Sequence, residues 1–384
     1  MRFEFTTANR IIFGAGTLKE AAPVVARFGT RALIVTGSQP TRAQPLIDLL
    51  QANGIDCVTF TVSGEPDVAT VQAGVVQARH AERNVIIGIG GGAVIDAGKA
   101  ISGLLTNDGD IFDYLEVIGK GQALKNAATP YIAIPTTAGT GAEVTSNAVV
   151  YSPEHHVKVS LRHPLMLPRV ALVDPELTYT SPPAVTAASG LDAITQVIEA
   201  FVSSKANPLT DSLCREGIMR GARSLRRAYE RGDDAAARED MAITSLFSGI
   251  ALSNAKLGAV HGFAGPMGGM FSIPHGAVCA CLLPHVMHMN VHALIARQAD
   301  SDSLHRYAEI AQIVTRRLDA TAADGVAWMR DLCAAVDIKP LSVFGITSED
   351  FPAIIEKAAV SSSMQGNPIK LTSDEMHEIL QAAL

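Results

Sequence analysis

Short apolar runs that end in glycine, alternating with stretches of helical periodicity, constrain the first half of this chain most. "RALIVTG" (31–37) and "NVIIGIGGG" (84–92) have almost no polar position before their glycines. A strand apolar on both faces must be covered on both faces, which is the situation of a parallel sheet between helical layers. "IDCVTFTV" (55–62) and "YIAIPTT" (131–137) read as further strands. Between and after them, "AQPLIDLLQANG" (43–54), "DVATVQAGVVQARH" (67–80) and "AVIDAGKAISGLL" (93–105) have helical spacing. The pattern predicts an α/β layer built on a parallel sheet.

The character changes within "LVDPELTYTSPPAVTAASG" (172–190). Beyond Pro182 and Pro183 the patterns are long and helical: "DAITQVIEAFVSS", "DSLCREGIMRGARSLRRAYERG", "AREDMAITSLFSGIALSNAK" and "LHRYAEIAQIVTRRL". A chain of 384 residues is too long for one ordinary core, so two domains are expected, 1–182 as α/β and 183–384 as all-α. With 48% hydrophobic and 18% charged residues the composition is that of a core-rich globular protein. The net charge of −7 and the lack of a Lys/Arg run argue against a nucleic-acid partner. No stretch reaches about 18 consecutive apolar residues, so no membrane partner is expected. "MRFEFTTANRIIFG" has no basic segment followed by an apolar one, so no signal peptide is expected. The five cysteines are scattered, and Cys279 and Cys281 are too close for a CxxC metal pair. A reducing, cytoplasmic setting fits that usage.

Three stretches can carry chemistry. In "GIGGGAVIDAGKA" (88–100) glycines stand between a strand and a helix, where backbone N–H groups and a helix N-terminus receive phosphate. The spacing is not GxGxxG, and a plain tight turn explains a lone triple glycine equally well. "PTTAGTGAEVTSNAVV" (135–150) puts Thr136, Thr137 and Thr140 in a loop after another strand. Loops at strand carboxyl ends face the ligand crevice of an open α/β sheet. The third stretch is split. "GLDAITQVIEAF" (190–201) places Asp192 and Gln196 four apart on one helix face, and His261 and His275 follow in "AVHGFAGPMGGMFSIPHGAVC" (259–279). A carboxylate in an apolar helix needs a partner. One Asp and two His make a three-ligand site with an open position, suited to catalytic Zn or Fe(II).

Together these stretches resemble the iron-containing (group III) alcohol dehydrogenases, of the dehydroquinate-synthase-like superfamily. "RIIFGAGTL", "GGGAVIDAGKA", "IPTTAGTGAEVT", "LVDPEL", "GLDAITQVIEAFVS", "AVHGFAGPMGG", "IPHGAVCACLLPHVM" and "NPIKLT" carry the likeness nearly end to end. The resemblance implies a Rossmann-like domain binding NAD or NADP, an all-helical domain binding a divalent metal (Fe2+ or Zn2+), and an active site in the cleft between them. It places the pyrophosphate loop at Gly90, Gly91 and Gly92, with Asp96 in the following helix, and the threonine loop at Thr136, Thr137 and Thr140. It puts Lys158 near the nicotinamide ribose, and the metal-ligand positions at Asp192, Gln196, His261 and His275. Asp192, His261 and His275 are thereby the catalytic set. A homodimer is implied at the same level.

Two positions depart from that family's pattern. A histidine is usual where this chain has Gln196, and an auxiliary histidine is common at Gly265. An amide oxygen is a weaker donor than imidazole for Zn or Fe(II), so a weakened metal site is expected. A metal-free pocket in which Gln196 packs against Asp192 stays open. After the second strand, Gly37 and Ser38 stand where NAD-preferring relatives often carry an Asp, and Arg42 follows, so NADP is expected to be accepted. The expected reaction is reversible hydride transfer between a small alcohol or aldehyde and NAD(P). "DYLEV" (113–117), Phe263 and Met267 are expected to line the pocket. A maleylacetate-reductase-like enzyme or a dehydroquinate-synthase-like lyase would need more cations than Lys158 and Lys256 near the motifs. A non-catalytic nucleotide-binding protein with a decayed metal site is the remaining alternative.

Overall fold

The computed structural model describes residues 2–271 and 273–384. The chain forms two compact units. One comprises Thr7–Thr137 and Gly141–Tyr179. The other runs from Thr180 to Leu384 and also takes in Ala138–Thr140 and the first residues, to Thr6. Two short stretches of the N-terminal segment therefore pack with the helices. Thr6 does so through its backbone, which exchanges hydrogen bonds with the Asn254 side chain (2.6 and 2.7 Å).

The sheet unit contains, in chain order, β1 (Ile11–Phe13), α1 (Ala21–Val25), β2 (Arg31–Thr36), α2 (Gln44–Ala52), β3 (Asp56–Thr61), α3 (Val68–His80), β4 (Val85–Gly90), α4 (Gly92–Leu105), α5 (Ile111–Tyr114), β5 (Tyr131–Pro135), β6 (Asn147–Ser152), β7 (Val157–Arg162) and β8 (Val170–Val173). Six strands form a parallel sheet in the order β1–β8–β5–β4–β2–β3, and β6 pairs antiparallel with β7. Continuous apolarity has the expected cause. Leu33 and Val35 of β2 join one hydrophobic cluster, Ala32 and Ile34 the other, and each face is covered. The strand order reverses direction between β2 and β4. The carboxyl ends of these two strands therefore flank the switch point of the sheet, where open α/β folds bind ligands.

The helical unit contains α6 (Pro183–Val202), α7 (Pro208–Glu230), α8 (Ala235–Asn254), α9 (Ala259–Met270), α10 (His275–Arg297), α11 (Asp302–Thr315), α12 (Ala322–Ala335), α13 (Phe351–Ala359) and α14 (Ser373–Ala383). Pro183 occupies the first turn of α6, where its missing N–H costs nothing, so the helix begins nine residues before Asp192. By length and composition α6 and α10 are apolar enough to cross a membrane, which counting consecutive apolar residues missed. Of their most apolar windows, 83% and 78% are buried in the protein, as befits core helices.

Candidate cofactor edge and metal centre

The loops after β2, β4 and β5 lie side by side because their strands are neighbours. Gly91 caps the N-terminus of α4 with extended backbone (φ −73°) and supplies no side-chain cap; Val94 N–H turns back onto Gly91 O (3.0 Å), and the Gly92 and Ala93 amides before it are the ones that call for an outside acceptor. A Cβ on Gly91 would meet only Thr137, at 3.5 Å, whereas one on Gly90 would stand 2.6 Å from Val94 Cβ. Gly90 is thus required for packing, and Gly91 leaves room above the helix end. Gly92 opens α4, and Thr136 N–H donates to Gly90 O (2.9 Å), tying the threonine loop to the glycine turn. Gly37 lies over α4, 3.7 Å from Val94 by its would-be Cβ, and Ser38 and Arg42 beyond it are exposed. Gly37, Ser38, Gly90–Gly92, Thr136 and Thr137 thus gather at one edge of the sheet. Thr140 packs with the helical unit.

Asp96 and Lys158 are engaged elsewhere. Asp96 Oδ2 accepts from Val149 N–H (3.0 Å) and Oδ1 faces the buried Lys99 ammonium (3.3 Å), which also donates to Thr145 Oγ1 (2.8 Å) and Asn147 O (2.6 Å). Burial pushes the Asp96 carboxyl up and the Lys99 ammonium down, each partly offset by the other. The pair ties α4 to β6. Lys158 lies on β7 with its ammonium 3.4 Å from Glu65 Oε1.

In the helical unit, Asp192 from α6, His261 from α9 and His275 and Cys279 from α10 converge. One potential ligand atom from each lies within 4.8 Å of the others. Asp192 Oδ1 is 3.3 Å from His261 Nε2 and 3.7 Å from His275 Nε2. Cys279 Sγ is 3.7 Å from His261 Nε2 and 3.6 Å from His275 Nε2. The Asp192 side chain is 2% exposed and that of His275 32%, so the cluster opens on the His275 side. Gly276 sets this geometry: a Cβ there would stand 2.6 Å from Ala188 O, so only glycine lets α10 approach α6 so closely.

Glu199 orders the cluster from behind. It lies seven residues, two turns, after Asp192 on α6. Its Oε2 accepts from His261 Nδ1 (2.6 Å) and its Oε1 from Val260 N–H (2.7 Å). With Nδ1–H so committed, Nε2 is the ring atom that faces Asp192 and Cys279, and the one left for a cation that displaces its proton. Asn367, of the "NPIKLT" stretch, takes the neighbouring Ala259 N–H (3.1 Å) and completes the cap of α9. Neither Glu199 nor Cys279 was anticipated. A second carboxylate in the same apolar helix signalled Glu199, and the i, i+4 spacing from His275 signalled Cys279.

The electrostatics favour a cation. Burial works against a charged Asp192, yet His275, His261 and Gln196 outweigh it and hold the carboxyl below its usual range. Cys279 most strongly, against burial and with help from Asp192, raises the His275 imidazole to about 9. Burial opposes charge on His261, but Cys279, Asp192 and Glu199 prevail and raise it well above the usual value. Asp192 Oδ1 is one of two buried side-chain oxygens among the described residues with no hydrogen-bond donor; the imidazole nitrogens near it attract without hydrogen-bond geometry. A buried, ionised, undonated oxygen between two imidazoles is what a divalent ion satisfies.

Gln196 is buried one turn after Asp192. Its Nε2 donates to Gly139 O (3.5 Å) and its Oε1 accepts from Ser248 Oγ (3.2 Å). Gly265 is exposed, and a Cβ there would meet nothing within 4 Å. Phe263 and Met267, expected in a pocket, are wholly buried in the helical core. Two residues along α9 from His261 and Gly265, they fall on the opposite face. Of "DYLEV", Tyr114 and Leu115 are core residues of the sheet unit and Val117 is 89% exposed.

Residues 8–175 match the family model described as iron-containing alcohol dehydrogenase. Residues 186–384 match the model for the C-terminal region of the Fe-containing alcohol dehydrogenase family. Alcohol dehydrogenase 4 of Saccharomyces cerevisiae (strain YJM789) is 34% identical over 97% of this chain and 96% of its own length. A crystal structure of a 1,3-propanediol oxidoreductase superposes with a TM-score of 0.92 at 33% identity, covering 100% of both chains. That of sulfoacetaldehyde reductase from Bifidobacterium kashiwanohense in complex with NAD+ gives 0.89 at 27% identity, covering 100% of this chain and 99% of that one.

Proposed function

The chain belongs to the iron-containing alcohol dehydrogenase family, and on that premise we propose that it is a metal-dependent, NAD(P)-linked alcohol dehydrogenase and aldehyde or ketone reductase. The observation that carries the reading is the undonated Asp192 Oδ1, buried and ionised between His261 and His275. Asp192, His261 and His275 would hold a divalent ion, and the uncapped N-terminus of α4 with Gly91 would receive the cofactor pyrophosphate. When bound, the two groups supply Lewis acidity at the substrate oxygen and a hydride acceptor or donor. Asp192 supplies the negative charge that balances the cation, and Glu199 fixes the tautomer and angle of His261. Gly265 has no side chain to move a proton, so the hydroxyl proton would leave through solvent. A wild-type pH–rate profile governed by a single essential histidine-like group would overturn that route.

Ser38 and Arg42, exposed beyond β2 with no carboxylate among them, support acceptance of NADP. The named substrates of the relatives differ among themselves, from 1,3-propanediol to long-chain alcohols, and support no more than an alcohol or aldehyde as the substrate here. Five unpaired cysteines support a cytoplasmic setting. The unpaired edge of β1 supports a homodimer, which light scattering tests directly. The function itself is tested by NAD- and NADP-linked turnover of a panel of alcohols and aldehydes, before and after chelation and metal return. Metal-restored turnover of an alcohol is expected. Turnover of maleylacetate alone, or of nothing with metal and cofactor both bound, would refute it.

A further inference from the structure

We propose that Cys279 is a fourth metal ligand, binding as a thiolate with Asp192, His261 and His275, that Gln196 stands outside the ligand set, and that the thiolate biases the site toward zinc over iron. This rests on the reading that the helical unit holds a divalent ion. An ion at the centre of a tetrahedron, about 2.1 Å from nitrogen or oxygen donors and about 2.3 Å from sulfur, sets those donors about 3.4 Å apart for oxygen–nitrogen pairs and about 3.6 Å for sulfur–nitrogen pairs. The oxygen–nitrogen distances around Asp192 are 3.3 and 3.7 Å. The sulfur–nitrogen distances around Cys279 are 3.7 and 3.6 Å. These four distances fit one shared centre, and the remaining two donor pairs lie within 4.8 Å.

Hydrogen bonding alone accounts poorly for the arrangement. A thiol can donate once and accept weakly, but that pairing still leaves the Asp192 oxygen, flanked by the same two nitrogens, without a donor. Cys279 is buried, one helical turn from His275, so helix geometry aims both at the same point. Gln196 has both ends of its amide near other partners, Gly139 and Ser248. On binding, the S–H bond gives way to a sulfur–metal bond, the proton goes to solvent, and nothing is oxidised. Soft thiolate with imidazole suits zinc better than Fe(II).

The test is titration of the chelator-stripped full-length protein with Co(II), followed by absorption spectroscopy, with Zn(II) and Fe(II) competition. Wild type should show tetrahedral ligand-field bands and an intense sulfur-to-cobalt charge-transfer band in the near ultraviolet. Cys279→Ser should lose the charge-transfer band and bind cobalt at least about tenfold more weakly. Gln196→Ala should keep the band and cost less affinity, as should the control Cys281→Ser. Bound zinc should protect Cys279 of the wild type from alkylation, read by peptide mass, which decides the matter even if Cys279→Ser does not fold. Cobalt bound without a charge-transfer band, or Cys279 alkylated equally fast with and without zinc, overturns thiolate ligation and leaves the metal site standing. A larger affinity loss in Gln196→Ala than in Cys279→Ser overturns the assignment of the ligand. Fe(II) retained against equal zinc overturns the zinc bias. No cobalt binding at all overturns both readings.

Discussion

At the switch point of the sheet unit the groups on offer are backbone donors: the uncapped amides of α4, the glycine turn before it and the loops after β2 and β5. In the helical unit the groups on offer are side-chain acceptors, brought together from three helices. The first arrangement suits an anion and the second a cation. Buried carboxylates mark the same contrast. Glu143 in the sheet unit has its own backbone N–H and, more weakly, the Lys99 charge against burial, and burial still raises its pKa to about 7. Asp192 in the helical unit is equally enclosed, but two imidazoles and an amide hold it ionised. A protein interior keeps a carboxylate charged only where something cationic or donating faces it. An ionised one that still lacks a donor at one oxygen is the observation behind the proposed metal centre.

The comparison treats the two sites as separable, and Gly91→Asp tests that most severely. Asp is a favoured N-cap, and its charge suits the α4 dipole, so folding should hold or improve. The carboxylate would stand where the pyrophosphate is received, weakening dinucleotide binding by about 100-fold. Fluorescence titration with NADPH reads the affinity, and metal analysis should show unchanged content. Cofactor affinity left intact would remove the anion site from α4. On the other side, Glu199→Gln should lower metal affinity by about 10–100-fold with cofactor binding unchanged. The amide can still accept from Val260 N–H, so an unaltered affinity would reduce Glu199 to a helix cap.

Smaller changes sharpen the contrast. Ser38→Asp should raise the KM for NADP about tenfold and leave that for NAD nearly unchanged, through repulsion of the 2′-phosphate. Equal shifts for both cofactors would take the loop after β2 away from the ribose. Glu143 supplies a pH effect confined to the sheet unit. Its folded pKa of about 7 exceeds the ordinary 4.5, so the unfolded chain ionises first as pH rises. Stability is lost from about pH 4.5 upward and levels off above about pH 7. Glu143→Gln should flatten that decline, moving the Tm at pH 8 up by a few degrees relative to wild type and leaving it alone at pH 4. A variant less stable at both pH values would mean that Glu143 is held by partners its burial conceals.

How much was legible in the sequence follows from whether information is local. β2, β4 and β5 were readable because a strand covered on both faces is apolar almost throughout, and the edge strand β3, which buries none of its residues fully, through its β-branched and aromatic residues. So were α2, α3, α4 and most of the long helices. The edge strand β1 and the β6–β7 pair lack that signature: β6 buries only alternate residues. The glycine and threonine loops were readable because each is one segment after one strand. Asp192, His261 and His275 stood out by residue type, but their convergence depends on packing such as Gly276 against Ala188. Cys279 is unremarkable beside Cys281, because on a helix the informative spacing is four, to His275. The apolarity of Phe263 and Met267 does not reveal which face of α9 they occupy.

The account rests most on Asp192, the one carboxylate in the proposed ligand cluster. The decisive measurement is the metal content of purified wild type and Asp192→Ala, taken with NADPH affinity on the same samples. The account predicts one divalent ion per wild-type chain, none held by Asp192→Ala after dialysis against chelator, and equal NADPH affinity in both. An Asp192→Ala protein that keeps its ion at wild-type stoichiometry would contradict it.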